Sequence, residues 1–136
     1  MTREISEAVR SLVRADSPAE VASRAVVATD QLAQHFGRLI GEIGVRTLLA
    51  RSARLASVRF PWLANTISRE PHADAPWTEL GGVLALRDPQ TAIDAFAELV
   101  TTFIGLLSKM IGEALVARLL HEVWPEPFPH VVKEST

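Results

Sequence analysis

Four histidines, His35, His72, His121 and His130, are the side chains best suited to hold a metal or move a proton near neutral pH. A metal site inside a helical bundle asks for Glu-x-x-His or His-x-x-x-His on an inward face. Neither spacing occurs. Glu113 and His121 stand two turns apart on nearly one face, too far apart to chelate alone. The histidines are therefore expected to be solvated or capping groups. A phosphoacceptor role for His35 lacks the acidic residue directly after it, and the proline about five residues on, that kinase helices usually carry. The chain has no cysteine and no tyrosine, which removes disulfides, thiolate ligands, Cys nucleophiles and phenolic acids together. There is no G-x-S-x-G, no G-x-x-x-x-G-K and no H-E-x-x-H. Glu4 and Glu7 form a lone E-x-x-E with no second copy to complete a two-metal site. These absences lean away from an enzyme, and no metal or cofactor is expected.

Charge is divided unevenly. Ten arginines and seven acids fall in residues 1–70, whereas four bases and nine acids fall in residues 71–136. Arg38, Arg46, Arg51, Arg54 and Arg59 face only Glu42 within residues 38–59. A basic helix of this kind can hold phosphate. Here it has no lysine and no interleaved aromatics, and the net charge of the whole chain is −2. The expected role is a solvated arginine face that pairs with the acidic second half, within the chain or across a dimer. Nucleic acid is not expected as a partner. The tryptophans Trp62, Trp77 and Trp124 each abut a proline. Tryptophan is enriched at interfaces, so they are candidates for a partner-binding patch and equally for plugs at the ends of the fold.

The elements that must position these groups follow from periodicity. Ile5, Val9, Leu12 and Val13 mark one face of a first helix over residues 2–15. Ser17-Pro18-Ala19-Glu20 is a strong helix start: Ser17 caps, Pro18 suits the first helical position, and Glu20 can reach back to the cap amide. Ala25, Thr29, Leu32, Phe36, Leu39 and Ile43 then alternate steps of four and three, a coiled-coil-like seam. Gly37, Gly41 and Gly44 lie where its phase changes. They cost about 2–3 kcal/mol in a helix relative to alanine, so they either break the helix there or let another backbone approach closely, a break or bend being slightly favoured by the length of an unbroken helix. Phe60-Pro61-Trp62 ends the segment. Residues 64–76 read as a loop. A short helix starts near Pro76, with Gly81-Gly82 expected to stop it. Asp88-Pro89 repeats the cap-then-proline signal, and Phe96, Val100, Phe103, Leu107, Met110 and Ala114 repeat the four-three seam.

The two segments also share a phrase. Ile40-Gly41-Glu42 followed by Val45, Leu48 and Leu49 matches Ile111-Gly112-Glu113 followed by Val116, Leu119 and Leu120. Chance produces such matches readily in helices rich in Leu, Ile and Gly. The alternative is a duplicated helix pair, or a pseudo-twofold crossing with Glu42 and Glu113 as a polar pair.

No strand pattern is present. The expected fold is all-α: a bundle of two long antiparallel helical segments, about 18–58 (broken at Gly37–Gly44) and about 89–124, with shorter flanking helices. Residues 1–126 would form one domain and residues 127–136 an extended or disordered tail. The 136 residues, 48% hydrophobic and 22% charged, suffice for one core. Leu99–Leu120 is long enough to span a bilayer, but Lys109, Glu113 and Arg118 lie inside it, each costing about 2.5–3.5 kcal/mol at a membrane centre. No membrane span is expected, the N-terminus shows no apolar signal segment, and the expected location is cytoplasmic. The functional expectation is a non-enzymatic helical protein–protein interaction or regulatory module, homodimeric because a lone hairpin would leave its apolar stripes uncovered. The alternative is a small-molecule sensor with an apolar pocket lined by Phe36, Phe96, Phe103 and Met110.

Overall fold

The computed structural model describes residues 2–67 and 77–129. Among these the chain is all-α, with no strand: α1 Thr2–Val13, α2 Pro18–Ile40, α3 Glu42–Ala56, a single 3-10 turn at Pro61–Leu63, α4 Thr78–Ala85, α5 Pro89–Ile111 and α6 Glu113–Val123.

The long helices start as their sequences require. Ser17 Oγ accepts the Glu20 amide at 3.1 Å, and Asp88 accepts the Thr91 amide at 3.1 Å and the Thr91 hydroxyl at 2.7 Å. Each cap satisfies a first-turn amide that has no partner within the helix. The Glu20 carboxylate does not reach back to the cap; it runs forward to Arg24 at 3.0 Å.

Both long helices are 23 residues and both end on a glycine in a conformation that only glycine adopts readily. Gly41 has φ 84° and ψ 158°, and Gly112 has φ 94° and ψ 148°. The Gly41 amide donates to Gly37 O at 2.8 Å while its carbonyl accepts from Val45 N at 3.0 Å. Gly112 does the same between Ser108 and Val116, at 2.8 and 3.2 Å. Each glycine thus closes one helix and opens the next with no loop between. The break at Gly41 falls inside the expected interval. The second long segment, expected as one helix, is broken as well, at Gly112. Gly37 and Gly44 remain helical.

One offset of 71 residues relates Ser17 to Asp88, Pro18 to Pro89, Gly41 to Gly112, and α3 to α6. The packing follows the same relation. α1 packs on α5 and α4 on α2, so each half lends its short leading helix to the other half's long helix. α3 lies on α5, and α2 touches α6. The seams Ala25–Thr29–Leu32–Phe36 and Phe96–Val100–Phe103–Leu107 are buried in one core, with Phe36 and Phe103 edge to face at 6.1 Å. α5 is long and apolar enough to cross a membrane by length and composition alone; ten of its residues are buried against the other helices.

α4 runs through Gly81-Gly82 instead of stopping there. A Cβ on Gly81 would lie 2.8 Å from Val26 Cγ2, so the glycine serves close approach of α4 to α2. Tertiary packing overrides local propensity at this point. At the C-terminal end, Phe128 stacks on Trp124 at 6.1 Å and donates its amide to Trp124 O at 3.2 Å. The packed chain therefore continues to Phe128. Of the expected tail, residues 130–136 lie outside the described residues, as do residues 68–76 of the expected loop, with His72 and His130.

Candidate functional site

Polar groups converge beside the first helix break. The last turns of α2 bring Asp30, Gln34, Gly37 and Arg38. The first turns of α3, re-aimed by Gly41, bring Glu42 and Arg46. Trp77 enters from the residue before α4. Together they line an open concavity of about 410 Å³. Glu42 stands at the first position of α3, where a carboxylate is favoured by the helix dipole.

Arg46 is the only charged side chain among the described buried residues, at 3% exposure. Its Nη2 donates to Glu42 Oε2 over a long 3.3 Å, and its guanidinium carbon lies 5.4 Å from the Trp77 ring centre. Its Nε and Nη1, closed off from solvent, have no hydrogen-bond partner among the described residues. A buried donor left unsatisfied costs about 1–3 kcal/mol, more when it is charged. Asp30, across the concavity, is fixed from both oxygens: Trp77 Nε1 donates to Oδ1 at 3.2 Å and Gln34 Nε2 to Oδ2 at 2.8 Å. A second, open concavity of about 460 Å³ shares Trp77 and Asp30 with the first and is otherwise lined by Val26, Val27, Gln31, Thr78 and Gly81.

Other polar contacts brace helix to helix. His35 Nε2 meets Glu122 Oε1 at 3.0 Å, joining α2 to α6. Trp124 Nε1 donates to Gln31 Oε1 at 3.0 Å across the same pair. His121 Nδ1 meets Phe128 O at 2.7 Å and holds the C-terminal turn. Arg10 pairs with Asp94, joining α1 to α5, and Arg59 with Glu98 at 3.0 Å, joining the end of α3 to α5. The Asp88 carboxyl is held below its usual value by the Thr91 hydroxyl first and the Thr91 amide second. Among the described residues no group of three or more His, Asp or Glu side chains could hold a metal ion.

The residues singled out from sequence fall in three settings. Phe36, Phe96 and Phe103 are fully buried in the core, whereas Met110 is 59% exposed. The three phenylalanines thus lie in the core and Met110 at the surface. Trp77 and Trp124 are buried, each spending its indole N–H on an acceptor on α2. Trp62 is half-buried, with Phe60 edge-on at 6.0 Å and the Arg87 guanidinium 4.4 Å from its ring centre. Glu42 and Glu113 each open a helix after a break glycine and both are exposed. Glu42 belongs to the concavity by virtue of Arg46. Sequence reasoning missed Arg46 itself. Its i,i+4 relation to Glu42 reads as an ordinary exposed pair, and nothing local distinguishes it from the four neighbouring arginines.

The chain matches no protein-family model, no curated protein and no solved structure.

Proposed function

We propose that this chain is a non-enzymatic helical interaction module that acts as a homodimer in the cytoplasm. The observation that carries this reading is where the apolar seams leave the core. Leu39 and Ile43 flank the Gly41 break at 49% and 61% exposure, and Met110, the counterpart of Leu39, precedes the Gly112 break. The four-three pattern continues through these residues, but Leu39 and Met110, just before the glycines, and Ile43, just after the first, stand outside the core. The seams proper are covered within the chain, so a second copy is not needed for them. Among the seam residues it is those beside the breaks that lack cover; Val27, Leu55, Val58 and Leu86 are exposed elsewhere.

Charge supplies the orientation. Arg38, Arg51 and Arg54 are exposed in the first half, and Glu79, Glu113 and Glu126 in the second. A twofold dimer sets each basic half against its partner's acidic half, twice over. Sedimentation equilibrium at micromolar concentration is the test. A dimer is expected, weakened by salt through its charged rim and split by the double substitution Leu39→Ser, Ile43→Ser. A wild-type monomer under those conditions overturns the reading. The small-molecule alternative draws its support from the concavity at Arg46, since Phe36, Phe96 and Phe103 are fully buried in the core.

A further inference from the structure

We propose that the concavity beside Gly41 binds a small zwitterion of the α-amino-acid type, its carboxylate on Arg46 and its ammonium facing the carboxylates of Glu42 and Asp30. Three observations lead there. The first is the unpartnered guanidinium. Arg46 is buried: its Nε and Nη1 are closed off from solvent and have no acceptor among the described residues, and its Nη2 has only the long bond to Glu42, so a ligand carboxylate that displaces Glu42 at Nη2 would supply the stronger charge-assisted bond that the guanidinium lacks.

The fold itself does not ask for Arg46. At the same place in the second half, 71 residues on, stands Ala117, and the chain packs there without a charge. Nor are its companions repeated: Asp30 corresponds to Thr101, Gln34 to Gly105, and Trp77 to Ser6. Of the pair that meets in the first half, only the glutamate recurs, as Glu113. One plan of backbone thus carries the polar set at one break and not at the other.

The second observation is room. Gly37 is helical and a Cβ there would meet nothing within 4 Å, so neither backbone conformation nor packing requires a glycine. What its missing side chain leaves is space in a concavity of about 410 Å³, ample for a free amino acid.

The third is charge balance. Two cations, Arg38 and Arg46, and two carboxylates, Asp30 and Glu42, line the concavity. Among the described residues its charges balance. A simple anion would leave it negative and a simple amine positive, whereas a zwitterion leaves the balance intact. Asp30 is already fixed by Trp77 and Gln34. Glu42 is the movable part: its side chain is 64% exposed and its bond to Arg46 is long, so it holds the guanidinium weakly until a ligand carboxylate arrives.

The test is a titration of the full chain followed by nitrogen–proton NMR of the Arg46 Nε–H and the Trp77 indole N–H. The probes are a mixture of free L-amino acids and, separately, acetate, inorganic phosphate and methylamine. Saturable shifts of both resonances are expected with the amino acids, at concentrations where the three single-charge probes produce none. Arg46→Met and, independently, Gly37→Leu, which fills the concavity from a helical position, are expected to raise the half-saturation concentration at least tenfold while the helical circular dichroism is kept. The proposal is overturned by any of three results: no saturable shift at millimolar amino acid, an equal response to acetate or phosphate (an adventitious ion only), or unchanged binding in a folded variant of either kind. None of these outcomes depends on whether the chain self-associates.

Discussion

The break at Gly41 and the break at Gly112 have the same backbone and different surroundings. Both glycines take the same rare conformation, both keep the helical hydrogen bonds on either side, and both follow a 23-residue helix begun by a cap and a proline. Around Gly41 stand a buried arginine, a fixed aspartate and a tryptophan; around Gly112 the matching positions are alanine, threonine and serine. The comparison separates what the fold needs from what it carries. The glycine, the entry cap and the valine and leucines after the break recur, so they belong to the architecture. The polar set occurs once; Trp77 and Asp30 in it brace α4 to α2 within the core, whereas Arg46, buried and short of acceptors, is the member whose counterpart is a plain alanine.

The halves are joined through their aromatic core, and cutting that join should have the largest effect. Phe36 from one half and Phe103 from the other meet edge to face with no exposure. Phe103→Ala is expected to cost about 3–5 kcal/mol in urea unfolding, and Phe36→Ala a similar amount. The double substitution should cost less than the two together, because the ring contact is shared. Strict additivity would mean that the two halves are less tightly joined than their packing indicates.

Next come the breaks themselves. Gly41→Ala and Gly112→Ala each force a side chain into glycine-only backbone, and each should cost about 1–3 kcal/mol. The comparison predicts similar losses, since the conformations match. A large loss at one site and none at the other would show that the two breaks are not equivalent. Gly37 works in the opposite sense. It is helical with open space where a Cβ would go, so Gly37→Ala should stabilise the chain by about 1 kcal/mol, read as an increase in thermal midpoint.

The smallest effect is at the helix starts. Asp88 and Ser17 occupy the same position in the two halves, but only Asp88 titrates. A carboxyl held below its usual value of 3.8 contributes stability above that value, and the contribution fades as pH falls through the lowered one. Amide exchange in the first turn of α5 should therefore quicken in acid below about pH 4, relative to its rate at neutral pH after correction for intrinsic exchange. The first turn of α2 should show no such change. Equal acid responses in both turns would remove the distinction.

Much of the architecture was legible because it is local. Capping residues followed by proline mark Pro18 and Pro89 as helix starts, and the four-three spacing marks the core faces of α2 and α5 correctly as far as Phe36 and Leu107. The break at Gly41 was legible from three clustered glycines. The break at Gly112 was not, because a lone glycine inside a strong apolar pattern reads as a tolerated residue. The repeated Ile-Gly-Glu phrase held the clue, since it places Gly112 in the same local sequence as Gly41. The exchange of α1 and α4 between halves depends on long-range packing, and so does α4's passage through Gly81-Gly82 beside Val26. Arg46 was illegible for a related reason. Its guanidinium lies over the ring of Trp77, 31 positions away in the chain, whereas the local sequence offers only Glu42 as its partner.

The most direct test of the central claim, that the first half carries a buried arginine its fold does not require, is the unfolding free energy of Arg46→Met against wild type without added ligand. Removing an under-satisfied buried charge in favour of an apolar side chain is often neutral or stabilising, by up to about 4 kcal/mol. The account predicts a stability equal to or above that of the wild type. A loss of more than about 1 kcal/mol, within the usual range for a damaging substitution, would show that Arg46 holds the fold together and would contradict it.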